Sequence, residues 1–145
     1  FTGFKTGAGI DIPLADPVIG WLRELQVRAC DSPYVFPPRR SSTRFPHVSP
    51  DTLNAALNDL PHELDAFTVH DLRRTARTLL ASLGVSSEVA ERCLNHKLRG
   101  VEGTYNRHDY FEERRQALTL LASLVVCLER GEEFNVVPIR GTRAA

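Results

Sequence analysis

The chain has 145 residues, 42% hydrophobic and 25% charged, which suits one globular domain able to bury a real core. Its 18 basic residues balance 18 acidic ones, and a formal net charge of zero argues against a strong non-specific nucleic-acid binder. No apolar run approaches the ~18 residues of a membrane span and no charged-then-apolar leader opens the chain, so the expectation is a soluble, cytoplasmic protein.

The sequence contains no methionine and starts at Phe1, a residue too bulky to follow a processed initiator, so the chain reads as a fragment of a longer protein. Of the basic residues 16 are arginine and only Lys5 and Lys97 are lysine, a bias toward the side chain that grips phosphate bidentately. For most of these arginines, surface solubility is the better explanation. Cys30, Cys93 and Cys127 are odd in number and lack CxxC spacing, which fits reduced, buried thiols better than disulfides or a metal site.

In chain order, Phe4 to Leu14 reads as a β-hairpin arm: Lys5, the turn residues Thr6 to Gly9, then Ile10, Ile12 and Leu14 in alternation. Asp16 followed by Pro17 signals a helix start, and Val18, Leu22, Leu25 and Ala29 repeat at helical spacing behind it, with Trp21 in the core or at its rim. Residues 31–50 hold five prolines and the basic cluster Arg39, Arg40 and Arg44, a loop in which Tyr34 to Phe36 reads as a short edge strand. Those arginines fit a DNA-backbone contact and a solvated loop equally well. Ser49-Pro50 opens a second helix with Leu53, Ala56, Leu57 and Leu60 as its apolar stripe.

Thr68 and Asp71 stand at capping-box spacing, which gives Asp71 a structural role. The helix they open carries Leu72, Ala76, Leu79, Leu80 and Leu83 as its buried stripe and stops at Gly84. Ser86 caps a further helix with Val89, Ala90, Cys93 and Leu94 facing inward. After a return with Gly100 and Gly103, Asp109 and Glu112 suggest another capping box for a long helix with Phe111, Leu118, Leu121, Ala122, Val125 and Leu128 inward, ending at Gly131. Phe134 to Ile139 is β-prone and needs an edge to pair with, in its own molecule or a neighbour.

Nearly every residue type able to handle a phosphodiester falls within residues 67–110. His70 and Arg73 stand at His-x-x-Arg spacing and share a helix face with Arg77; His96 follows Leu94-Asn95, and Tyr105 comes nine residues later. That order points to phosphoryl transfer by a tyrosine. A phenol with a pKa of about 10 needs roughly 4 kcal/mol to ionise at pH 7, so nearby cations and a base must lower that cost.

His70-Asp-Leu-Arg73-Arg-Thr, Leu94-Asn-His96-Lys, Thr104-Tyr105-Asn-Arg and Glu113-Arg-Arg-Gln-Ala-Leu118 together resemble the C-terminal catalytic half of the tyrosine recombinases, the phage-integrase family, and most of all the integrases of satellite prophages and genomic islands. Lys5 before its glycine turn and Ile12-Pro13-Leu14 resemble that family's lysine hairpin. The fold this implies is α+β, mainly α: a helical catalytic domain of the DNA breaking-rejoining kind with a small antiparallel β element, truncated at its N-terminus. Residues 1–131 form its catalytic part, with the arm at 4–14, and residues 132–145 a tail.

The resemblance implies Tyr105 as nucleophile forming a 3′-phosphotyrosyl bond, Arg73 and His96 on the phosphate oxygens, His70 in proton transfer and Lys5 protonating the leaving 5′-oxygen. It implies no cofactor and no metal. Double-stranded DNA attachment sites, a tetramer of like subunits on that DNA, and accessory bending and directionality proteins are the implied partners. Arg74, Arg77, Arg39, Arg40 and Lys97 are the candidate DNA contacts, though a solvated helix face explains Arg74 and Arg77 nearly as well. The family's other active-site arginine precedes the lysine hairpin, where this sequence holds four residues and no arginine.

Two other readings compete. The helices around Gly84-Val85 read as a non-enzymatic helix-turn-helix, but its second helix would offer Glu88 and Glu91 to DNA. Metal-dependent hydrolysis through His70 and His96 lacks the paired ligands at i, i+4 that such sites use. His47, His62 and His108, with Tyr34 and Tyr110, read as packing or surface residues.

Overall fold

The computed structural model describes residues 10–38, 40, 46–96 and 108–134. Among them all regular structure is helical: α1 (Asp16–Ala29), α2 (Pro50–Asn58), α3 (Val69–Ser82), α4 (Ser87–Cys93) and α5 (Phe111–Arg130). The starts of α2, α3 and α4 fall at caps legible in the sequence. Ser49 precedes Pro50 in extended conformation, and the Ser86 hydroxyl accepts from the Val89 amide. At α3 the capping box closes in both directions, Thr68 N–H to Asp71 Oδ2 at 3.0 Å and Asp71 N–H to the Thr68 hydroxyl at 3.4 Å.

Three helices end alike. Gly84, Asn95 and Gly131 take positive φ of 78°, 50° and 67°. The following amides, Val85, His96 and Glu132, reach back to the carbonyls of Leu80, Glu91 and Cys127 at 3.1, 2.9 and 2.9 Å. This Schellman closure satisfies carbonyls that a helix end would otherwise leave open.

The α+β expectation needs correcting, since no strand occurs among the described residues. Of the hairpin arm, residues 4–9 lie outside them and residues 10–14 are irregular. Pro13 has no N–H for a ladder, and the Asp11 carbonyl is taken by Arg114 instead of a strand partner. Tyr34 to Phe36 forms a bend, with one bond from Val48 N–H to the Phe36 carbonyl at 3.0 Å. The C-terminal strand falls on residues 135–139, outside the described set, and Phe134 is irregular.

The chain divides into two compact units, with the boundary inside α3. In the first, which includes residues 10–17, 76–96 and 108–134, Leu80, Val89, Ala90 and Ala117 make the core, flanked by Val85, Cys93, Tyr110 and Leu121, as α4 packs on α5. The second, Val18–Thr75, takes the rest of α1, then α2 and the start of α3. Its apolar stripes are thinly covered: Leu72 stays 49% exposed where the periodicity predicts burial, and Trp21, Leu53 and Leu60 are exposed as well. In α5, Phe111 and Leu128 also lie outside the core, whereas Ala117 and Ala122 fill it. No helix among the described residues is long and apolar enough to cross a membrane.

Candidate functional site

The capping box decides how α3 presents its polar residues. By holding Asp71 at the helix start it leaves His70 and Arg73 three residues apart on one face, His70 exposed and Arg73 half-buried. Hydrogen bonds from Thr68, more than the exposed Arg74 3.2 Å away, keep the Asp71 carboxyl below its ordinary value. Asp71 is therefore occupied as a cap.

One turn on, Arg77 is half-buried and directed to α4. Its Nε donates to Glu91 Oε1 at 2.8 Å and its Nη2 to the Ser87 hydroxyl at 3.1 Å. The other oxygen of Glu91, Oε2, lies 2.6 Å from Nδ1 of His96. Arg77, then His96, hold the Glu91 carboxyl below the ordinary carboxylate range, so it is an ionised acceptor at neutral pH. A carboxylate only accepts, which assigns the shared proton to Nδ1.

The backbone prepares that contact. With Asn95 left-handed, the His96 amide folds back onto the Glu91 carbonyl, and the ring then meets the carboxylate of the same residue. Pattern reading missed Glu91 as a partner of two candidate site residues, since a glutamate on a short helix looks like surface. The available signal was a glutamate five residues before a histidine, with Asn95 at the helix end between them.

Arg114 is the other polar group missed. It is 1% exposed, with Nε to the Asp109 carbonyl at 3.0 Å, Nη1 to the Asp11 carbonyl at 2.9 Å and Nη2 to Asp109 Oδ2 at 2.7 Å. The predicted capping box at Asp109 does not form, because Arg114 takes that carboxylate and Tyr110 precedes the helix at φ 52°. Tyr110 is half-buried against the core and edge-on to His108 at 4.6 Å. His47 lies beside Tyr34 and His62 beside Phe67, at 5.5 and 5.2 Å.

Arg40 is exposed. Lys5, Arg39, Lys97 and Tyr105 fall outside the described residues. Among those described, no three His, Cys, Asp or Glu side chains come together in a way that could hold a metal ion.

The chain is similar to prophage integrase IntA of Escherichia coli (strain K12), with 31% identity over 122 residues, 83% of this chain and 29% of that protein. It thus spans less than a third of its relative's length. A match over 83% of a 145-residue chain necessarily takes in residues 67–110. No family model matches the chain, and no solved structure matches it.

Proposed function

We infer the function from kinship: the chain is a distant homologue of part of a prophage integrase, a tyrosine recombinase, and the protein it represents breaks and rejoins DNA at specific sites. The observation that carries this reading is the homology across the stretch holding His70, Arg73, His96 and Tyr105 in order. Tyr105 Oη attacks the scissile phosphorus, its proton passing to His70. The bond from phosphorus to the 5′-oxygen breaks, and Lys5 protonates that oxygen. A 5′-hydroxyl of another strand reverses the step and releases the tyrosine.

Charge building on the non-bridging oxygens is met by Arg73 and His96, each donor worth roughly 3 kcal/mol. Proton transfer through His70 and Lys5 adds about 100-fold or more. The bond energy stays in the phosphotyrosyl link, so neither nucleotide nor metal is required. Double-stranded attachment sites are the substrate, and like subunits assembled on them supply the exchanging strands.

The test is trapping on a nicked cognate duplex in excess chelator, read as a covalent adduct on a denaturing gel. The adduct is expected from the wild-type protein and lost in Tyr105→Phe. An adduct that persists in that variant moves the nucleophile elsewhere, with Tyr110 next in line.

A further inference from the structure

We propose that Glu91 is a positioning residue for His96: it fixes the ring by Nδ1 and so assigns the phosphate contact to Nε2. The proposal rests on the recombinase reading for His96's task, but the geometry behind it does not. The Glu91 carboxylate has two oxygens with different partners, Oε1 on Arg77 Nε at 2.8 Å and Oε2 on His96 Nδ1 at 2.6 Å. Tying α3 to α4 needs only the first. The second reaches around the helix end, where the left-handed Asn95 and the 2.9 Å bond from His96 N–H to the Glu91 carbonyl bring the imidazole over its own helix.

A bare carboxylate beside a DNA phosphate would repel it. Here the Arg77 guanidinium neutralises Glu91, so the ring gains an orienting acceptor without a net negative charge at the site. A histidine held by one nitrogen presents the other in a defined direction, which matters because donors stabilise a transition state only when already aimed. Arg77 accordingly serves the site through Glu91.

Two readouts test this. In the 145-residue chain, long-range proton–nitrogen NMR of neutral His96 should show the Nδ1–H tautomer, which weakens to a mixture in Glu91→Gln and disappears in Glu91→Ala. In the full-length protein on a nicked cognate duplex, kcat for adduct formation should fall about tenfold in Glu91→Gln and about 100-fold in Glu91→Ala, with KM little changed. Glutamine is isosteric and keeps an acceptor oxygen, so it carries the test even where alanine unfolds the helix end. Variants that melt earlier yet keep the His96 tautomer and kcat would reduce Glu91 to a helix tie and overturn the proposal. A wild-type protein that makes no Tyr105 adduct would instead overturn the recombinase reading, and the tautomer would still decide the placement of His96.

Discussion

At Asn95 the backbone stands at φ +50°, where a residue with an ordinary side chain loses about 1 kcal/mol. Asparagine and glycine tolerate that region better than other residues, which accounts for an asparagine at this helix end. Asn95→Ala should therefore lower stability by about 1 kcal/mol in urea melts, while Asn95→Gly leaves it equal or higher; an unchanged alanine variant would refute the cap. The thiols separate by environment in the same way. Cys93 is half-buried and burial pushes its thiol up, whereas Cys30 is exposed just after α1. An aromatic disulfide reagent should label Cys30 first and leave Cys93 until unfolding, and simultaneous labelling would contradict this burial pattern.

Among the elements, α3 and α4 share, besides their apolar contacts, the Arg77–Glu91 ion pair, whose strength follows pH. Arg77 first and His96 second hold the Glu91 carboxyl below its ordinary 4.5. A carboxylate with a depressed folded value contributes in full above its unfolded value and loses that contribution as pH falls through the folded one. The ion pair should thus contribute in full above pH 4.5 and lose its contribution as pH falls further, through the depressed folded value. Urea melts between about pH 3 and pH 6 should show a shallower acid loss for Glu91→Gln than for the wild type. Equal slopes would mean that the pair adds nothing. In the first turn of α5, Glu112 is fully exposed and paired with Arg115, which brings its carboxyl down to about 2; carboxyl NMR should find it ionised well below its neighbours.

For the whole molecule, the group with most at stake is the buried guanidinium of Arg114. It ties residue 11, 103 positions away in sequence, to residue 109, and its charge is met by one carboxylate and two carbonyls. Arg114→Met removes that charge but leaves the Asp11 carbonyl without its donor. The expected loss is about 3 kcal/mol, together with faster amide exchange at residues 10–15. Unchanged exchange there would show that the segment is held by something else. Formal neutrality has its own consequence at this scale. Few phosphate contacts are available, so the 145 residues should bind arbitrary duplex with a Kd of about 10⁻⁴ to 10⁻⁶ M, weakening as salt rises. Nanomolar, salt-insensitive binding would contradict that.

What the sequence determined by itself was local. Thr68 and Asp71, Ser86, Gly84 and Gly131 are start and stop signals whose physics acts over one turn, and the helices obey them. The order of His70, Arg73, His96 and Tyr105 was legible for the same reason, as a pattern carried by the chain. Tertiary structure decided the partners. Whether Asp109 caps a helix or neutralises Arg114, whether the Asp11 carbonyl joins a ladder or a guanidinium, and whether Glu91 faces solvent or His96 depend on groups far apart in sequence. Periodicity also misjudged Leu72, Phe111 and Leu128, because it marks which face of a helix is apolar, whereas burial requires a second element to cover that face.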